Sequence, residues 1–400
     1  MGVPQFCKEK RKNRGLRVNT RNNQEVFFTL LRAGLWLEPE KQVSVDGPVD
    51  WEEIYQLASE QSVLGLVLAG IDSMPIDQRP PKLELLQRIG EIQLLEQQNK
   101  EMNRFIGLLV ADMRKEGIYT LLVKGQGIAQ CYERPLWRSC GDVDFFLSDD
   151  NYEKAKSYLT PLATDVNNEY VREKHLGMTI DSQVVELHGR LYSGLSSKID
   201  NELDDVYRDT FYGGNVRSWL NDNVQVFLLS VENDVFYVFT HILQHFYKEG
   251  IGLRQICDWC RLLWTYREKI NITKLEKRLK RAKLLTAWKA FAAFAIKYLG
   301  MPVEAMPLFN ENDNQDHNLH KKAELIKDFI LEVGNMGHKR GSWLMEHDSW
   351  LSRQYVVRKA FSMGRRIGDL INHARIFPLD SLRFFPRIMF NGVRSAMRGE

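Results

Sequence analysis

Residues 118–147 read IYTLLVKGQGIAQCYERPLWRSCGDVDFFL, and this pattern decides the fold. An apolar run ends abruptly at a glycine turn over 124–127. A short helical pattern follows over 128–133, and a second apolar run over 142–147 carries two aspartates. The order predicts a strand, a glycine turn that opens a helix, and a second strand with two carboxylates.

The two acids of the second strand, Asp142 and Asp144, are two residues apart. Alternate side chains of a strand point to the same face, so both carboxylates share one face while Val143 and Phe145 pack on the other. Two close carboxylates repel each other unless a cation lies between them. Mg²⁺ takes oxygen ligands and usually also binds substrate phosphates, so the pair is a candidate metal site.

The glycine turn has the features of a phosphate site. Its backbone N–H groups are free at a helix N-terminus, which suits an anion. Glycine also lets a phosphate approach the backbone closely. The turn and the carboxylate strand together predict a site for a metal–triphosphate complex.

The order of glycine turn, helix and Asp-x-Asp strand resembles the DNA polymerase beta superfamily of nucleotidyltransferases. The stretch is most similar to a bacterial nucleotidyltransferase-like family that is often linked to capsule and surface-polysaccharide loci, and the resemblance covers 25–275. It is carried by Lys124, Gly125, Gln126, Gly127, Arg138, Gly141, Asp142, Val143 and Asp144. The superfamily usually has Gly or Ser where Gln126 stands, so a serine contact to the terminal phosphates is missing. The resemblance implies that Lys124 supplies charge instead.

A third acid, Glu186, lies inside the apolar run 183–188 and shares a strand face with His188. A glutamate in such a run needs a partner. One alternative is an edge strand whose outer face is solvated. The resemblance implies the other alternative, because the superfamily places its third metal carboxylate on a strand beside the Asp-x-Asp strand.

The composition is that of a globular protein of two or three domains, with 400 residues, 44% of them hydrophobic and 27% charged. A net charge of only +3 argues against nucleic acid as a partner. The odd count of five cysteines argues against a disulfide scaffold, and Cys257 and Cys260 are interpreted as buried thiols. No signal peptide and no bilayer-spanning stretch is recognised, so we expect a cytoplasmic location.

We predict an α+β fold, in which a small mixed sheet is flanked by helical regions. The expected domains are a basic flexible tail (1–20), an N-terminal helical region (21–115), a nucleotidyltransferase α/β domain (116–200) and a C-terminal helical region (201–400). Two strand-like runs, 168–179 and 183–188, predict a hairpin. The basic segment 353–398 either makes a peripheral contact with an anionic membrane or packs its apolar side on the core.

A helical pattern after the α/β domain places His241 and His245 on one helix face. Their motif, HILQH, lacks the glutamate of a zinc protease, so that chemistry is rejected. The resemblance implies that this helix, together with Arg254 and Asp258, lines the acceptor side of the cleft. The alternative is structural: both histidines bond to buried carbonyls, and Arg254 pairs with Asp258 at i, i+4.

The predicted function is a metal-dependent nucleotidyltransferase that moves an NMP from an NTP to a hydroxyl or phosphate acceptor and releases pyrophosphate. Asp142 and Asp144 would hold Mg²⁺ or Mn²⁺, one of them bridging to a second ion whose shell Glu186 completes. The predicted nucleotide-binding residues are Lys124, Gly125, Gln126, Gly127, Arg138 and His188. Two rivals stay open: a non-catalytic nucleotide-binding protein that keeps the fold, and a membrane-peripheral scaffold.

Overall fold

The computed structural model describes residues 20–37, 42–335 and 368–398. The predicted basic tail, apart from Thr20, lies outside the described residues, and so does 353–367 of the basic C-terminal segment. Among the residues that are described, no helix combines the length and the apolar character needed to cross a membrane.

Helices make up most of the described chain. They are α1 (Thr20–Trp36), α2 (Trp51–Glu60), α3 (Leu64–Asp72), α4 (Lys82–Lys115), α5 (Gly125–Ala129), α6 (Asp149–Leu159), α7 (Ser197–Phe211), α8 (Val231–Lys248), α9 (Leu253–Tyr266), α10 (Ile272–Ala282), α11 (Leu285–Leu299), α12 (Glu311–Asn314), α13 (His317–Val333), α14 (368–376) and α15 (Pro378–Arg398). The long proline-free pattern before the first strand is a single helix, α4. Gly117 follows it with a φ of 69°, a backbone conformation that glycine adopts without strain.

One mixed sheet of seven strands lies in the described part of the chain. Its strands are β1 (Thr120–Val123), β2 (Asp142–Leu147), β3 (Asp165–Val166), β4 (His175–Ile180), β5 (Gln183–His188), β6 (Val216–Asn221) and β7 (Val224–Leu229). Their order across the sheet is β3-β4-β5-β2-β1-β7-β6. The predicted hairpin is β4–β5, although its first strand starts at His175 and not at residue 168. Strand β2 lies between antiparallel β1 and parallel β5. This sheet and its flanking helices confirm the predicted α+β fold.

The expectation that the chain is helical from residue 201 onward is wrong over 216–229. There β6 and β7 form an antiparallel hairpin, and β7 pairs in parallel with β1. Asp222 in the turn has a φ of 50°, which aspartate tolerates better than most residues. The apolar run of β7 continues into α8 after only Ser230, so periodicity alone does not separate the strand from the helix. The sheet therefore extends past residue 200.

The two faces of the sheet pack against different helices. On one face, Val143 and Phe145 join a core with side chains of α4 and α6. On the other face, Phe146 joins the larger core, which contains side chains of α7, α8 and α9. Asp142 and Asp144 share the face of Phe146, because side chains of a strand alternate. The carboxylates therefore face the helices that follow the sheet.

Candidate active site

Three carboxylates meet where β2 and β5 run side by side. In this parallel pair Asp144 is opposite Glu186, and Asp142 is opposite Val184. Ligand oxygens of Asp142, Asp144 and Glu186 all lie within 4.8 Å of one another. The Asp144 side chain is only 2% exposed. The predicted convergence of the three acids is therefore present in the fold.

Lys124 brings a positive charge into this cluster. Its Nζ lies 2.8 Å from Oδ1 of Asp144 and 3.5 Å from Nε2 of His241. Burial alone would lower the pKa of Lys124, but the charges of Asp144, Asp142 and Glu186, together with Tyr237, outweigh burial and the pKa is raised well above its usual value. Lys124 also has a φ of 58°, which is uncommon for a residue other than glycine. The turn after β1 thus directs this ammonium group at the acids.

Two histidines hold the other side of the cluster. Nε2 of His188 lies 2.8 Å from Oδ1 of Asp144 and 3.4 Å from Oε2 of Glu186. Nε2 of His175 lies 3.2 Å from the same Glu186 oxygen, and the two imidazole rings stack with centroids 4.7 Å apart. Sequence reasoning missed His175. The hairpin register pairs it with His188 and offers the signal, but only once the register is known.

The charges in the cluster shift the pKa values of the acids in opposite directions. The charge of Asp144, followed by burial, raises the pKa of Asp142. Burial would raise the pKa of Asp144 as well, but Lys124 and His188 outweigh it and the pKa is lowered. For Glu186, burial is outweighed by hydrogen bonds from His175 and His188, and the pKa is lowered. Asp142 is therefore the acid with the least compensated charge.

The glycine turn contributes less to the cleft than predicted. Gly125 lines the cleft, and its φ of 43° suits glycine. The side chain of Gln126 points to α4 instead, where its amide donates to Oδ1 of Asn99 at 2.7 Å. A Cβ on Gly127 would lie 2.8 Å from Cδ2 of Leu228, so this glycine permits close packing on β7. Contrary to the prediction, Gln126 and Gly127 are not among the residues that line the cleft.

Arg138 forms a buried ion pair with Asp258. Its Nε and Nη2 each donate to one oxygen of the Asp258 carboxylate at 2.7 Å, and Tyr132 donates to the same carboxylate at 2.7 Å. Arg254 does not pair with Asp258, because its Nη1 donates to the carbonyl of Ser139 at 2.8 Å. The structural alternative of an i, i+4 pair between Arg254 and Asp258 is therefore wrong, and the Arg138 charge is already balanced by a carboxylate.

The predicted histidines of α8 form a chain of contacts that ends at Lys124. Nε2 of His245 lies 3.2 Å from Nε2 of His241, and Nδ1 of His245 lies 3.0 Å from Oε2 of Glu249. Burial, aided by the charge of Lys124, lowers the pKa of His241 well below its usual value. The structural alternative, in which both histidines bond to buried carbonyls, is not what the structure contains.

A cleft of about 730 Å³ joins these groups, within the range of about 300–1,000 Å³ that is usual for ligand sites. The predicted site residues that line it are Lys124, Gly125, Arg138, Asp142, Asp144, Glu186, His188, His241, His245, Arg254 and Asp258. Lining residues that sequence reasoning missed include His175, Tyr237, Lys248 and Glu249. The sheet supplies the acids, and α8 and α9 supply the opposite wall.

The fold and the cleft define an α+β protein whose sheet presents three carboxylates to a wall of helices. The chain belongs to the family described as uncharacterised nucleotidyltransferase, whose model matches residues 47–300. This family places the protein among the nucleotidyltransferase enzymes, and the matched range contains every predicted site residue. No curated protein and no solved structure matches the chain.

Proposed function

We propose that the protein moves an NMP from an NTP to a hydroxyl or phosphate group of an acceptor and releases pyrophosphate. A divalent cation, Mg²⁺ or Mn²⁺, is held by Asp142, Asp144 and Glu186. The observation that carries the proposal is the meeting of three carboxylates from adjacent strands in one cleft. The family match supports nucleotidyl transfer, and the glycine turn followed by Asp-x-Asp supports kinship with the polymerase beta superfamily.

The residues present suit a hard divalent cation. Ligand oxygens of the three acids lie within 4.8 Å of one another, and the neighbouring acid raises the pKa of Asp142. Mg²⁺ is usually bound by one or two carboxylates together with substrate phosphates. Such an ion would neutralise charge on the phosphates and orient them for in-line displacement.

The side chains of the cleft position the reactants. Lys124 attracts the triphosphate, and the Gly125 backbone lies beside it without a side chain in the way. His188 holds Asp144 and Glu186 in place through its Nε2. In phosphoryl-type transfer, most catalysis is positioning and charge neutralisation, so this set of residues is sufficient.

The acceptor lies on the helical side of the cleft. His241, His245 and Arg254 line this side and face the carboxylates across it. A ligand site between two structural layers is the usual arrangement. The resemblance to proteins of capsule and surface-polysaccharide loci makes sugars and sugar phosphates the first acceptors to test.

The test is a transfer assay with an α-³²P-labelled NTP. Purified protein is incubated with each NTP in turn, Mg²⁺ or Mn²⁺, and a cell extract, and labelled products and pyrophosphate are measured. We expect one class of acceptor to become labelled, an equal release of pyrophosphate, and loss of both signals with EDTA. Absence of labelled product and of pyrophosphate with every NTP contradicts the proposal.

The side chain of Gln126 favours a second candidate, a nucleotide-binding protein without transfer activity. It lies against α4 and leaves the turn without a hydroxyl for the terminal phosphates. Binding of Mg²⁺–NTP without pyrophosphate release would support this candidate. The transfer assay and a binding assay on the same preparation therefore separate the two functions.

The membrane-peripheral scaffold has weaker support. Helix α15 exposes Leu379, Leu382 and Phe390, which an anionic membrane could contact. However, Arg387 on the same helix pairs with Asp200 at 2.8 Å, which ties one basic side chain to the protein. Co-sedimentation with phosphatidylserine vesicles in the absence of nucleotide binding would favour the scaffold.

A further inference from the structure

The carboxylate oxygens of Asp142, Asp144 and Glu186 differ in the number of hydrogen-bond donors that contact them. Oδ1 of Asp144 accepts from Nζ of Lys124 and Nε2 of His188, both at 2.8 Å. A carboxylate oxygen has about two lone-pair sites, so these donors use both. Oε2 of Glu186 is likewise contacted by two imidazole nitrogens. Within the described residues, both oxygens of Asp142, Oδ2 of Asp144 and Oε1 of Glu186 have no donor.

Lys124 is a constrained part of this cluster. Its positive φ costs about 1–3 kcal/mol in a residue other than glycine, and such a conformation persists only where the surroundings enforce it. Nζ is held by Asp144 on one side and by His241 on the other. The chain of contacts continues through His245 to Glu249. The ammonium group is therefore positioned by the fold, unlike the end of a mobile surface lysine.

We propose that Lys124 takes the place of one of the two cations that a three-carboxylate transfer site can hold, so that each chain binds a single divalent ion. The inference rests on the proposed function and replaces the expectation of an aspartate that bridges to a second ion. The one ion uses the unoccupied oxygens of Asp142, Asp144 and Glu186. The ammonium occupies Oδ1 of Asp144 and, as a compact point charge, faces the triphosphate in the manner of a metal ion.

The neighbouring group of His175, Glu186 and His188 does not offer a second ion site, although its ligand atoms also lie within 4.8 Å of one another. The two imidazole rings are stacked with an angle of only 5° between their planes and centroids 4.7 Å apart. Nε2 of both rings is directed at Oε2 of Glu186, and an imidazole nitrogen that donates its N–H to a carboxylate has no lone pair left for an ion. These histidines instead serve the Glu186 carboxylate as hydrogen-bond partners.

Counting bound Mn²⁺ tests the inference. Purified protein is dialysed to equilibrium against MnCl₂ and an α,β-methylene NTP analogue, which cannot be cleaved, and protein-bound Mn²⁺ is counted by electron paramagnetic resonance. We expect one Mn²⁺ per chain for the wild type and two for Lys124→Met, which removes the ammonium group but keeps an unbranched side chain as far as the ε position. Lys248→Met is the matched control, because Lys248 lines the same cleft without an ion pair to the three acids. It should keep one Mn²⁺.

Two Mn²⁺ per wild-type chain would overturn the inference and leave the proposed function intact. One Mn²⁺ in a Lys124→Met variant that melts cooperatively would also overturn it. A wild type that binds the analogue without any Mn²⁺ contradicts both the inference and the metal dependence. The number of Mn²⁺ ions bound by the wild type tests the inference even if the variant does not fold. Pyrophosphate release tests the transfer function separately.

Discussion

At the scale of single residues, Asp144 is the most buried of the three acids that meet in the cleft. It is almost fully buried, yet it stays charged because Lys124 and His188 both donate to it. An isolated buried carboxylate would cost several kcal/mol, so these partners are needed for folding as well as for chemistry. Asp144 therefore affects both the stability of the cleft and its proposed activity.

Replacing Asp144 with Asn is expected to lower NMP transfer at least about a hundredfold, because a carboxylate that holds a cation contributes several kcal/mol to the transition state. The protein should stay folded, since Asn has a similar volume and Lys124 keeps Asp142 and Glu186 nearby. Pyrophosphate release and thermal melting are the measurements. Asp149→Asn, in the exposed first turn of α6, is the control and should leave both unchanged. Unchanged turnover in Asp144→Asn would remove this acid from the chemistry.

His241 should make folding stability depend on pH. Its lowered pKa keeps it neutral in the folded protein, whereas the unfolded chain protonates it below about pH 6.5. The unfolded state then binds more protons, so stability falls as the pH drops below about 6.5. Urea unfolding at pH 7.5, 6.5 and 5.5 should show a steeper loss for the wild type than for His241→Gln. Parallel curves would mean that the histidine is not held neutral.

At the scale of elements, the register of β2 and β5 brings the acids together, and glycines set the close approach of helices. Helices α1 and α3 pack through Gly34 and Gly70. A Cβ on Gly70 would lie 2.1 Å from the carbonyl oxygen of Leu30, and a Cβ on Gly34 would lie 1.8 Å from that of Leu66. Backbone atoms cannot move aside as a flexible side chain can, so these positions require glycine.

Gly70→Ala is therefore expected to destabilise the fold by about 1–3 kcal/mol or more, since the helices must separate. Gly90→Ala is the matched control, because Gly90 lies inside α4 with nothing within 4 Å of an added Cβ. Alanine there should stabilise the helix by about 0.5–1 kcal/mol. Denaturant unfolding measures both changes. Equal effects of the two substitutions would argue against the close crossing of α1 and α3.

At the scale of the whole molecule, the pair of Arg138 and Asp258 connects the segment before β2 to helix α9. Both side chains are nearly buried, and the pair is closed by two hydrogen bonds of 2.7 Å. Such a contact can hold the sheet and the helical wall at a fixed distance. Arg138 and Asp258 are 120 residues apart in sequence, so no local pattern indicates that they pair.

Asp258→Ala is expected to destabilise the protein by about 3–5 kcal/mol, because it leaves the Arg138 charge buried without a partner. Replacing both residues, as Arg138→Met with Asp258→Leu, should recover most of that loss. Glu324→Ala, which breaks the exposed pair with Lys297, should cost less than about 1 kcal/mol. Denaturant unfolding and transfer per folded molecule are measured together. If Asp258→Ala instead loses transfer activity while its stability is unchanged, Asp258 belongs to the acceptor site.

Much of the fold follows from local pattern. The glycine turn, the Asp-x-Asp strand, the long helix α4 and the β4–β5 hairpin were all predicted from periodicity and turn residues. The hairpin β6–β7 was missed, because its second strand and α8 form one apolar run in sequence. Strand and helix then compete for the same residues, and only pairing with β1 favours the strand.

The sequence by itself determined that Asp142 and Asp144 share a strand face, because the alternation of side chains is a property of the backbone. Only the tertiary structure decided which partners these acids meet. The positions of Lys124, His175 and the α8 histidines depend on strand register and on helices that follow much later in the chain. Likewise, Arg138 pairs with Asp258 because the buried guanidinium requires a carboxylate, and packing brings that one within reach. Contacts between residues far apart in sequence leave no period or spacing to recognise, so they exist only in the folded chain.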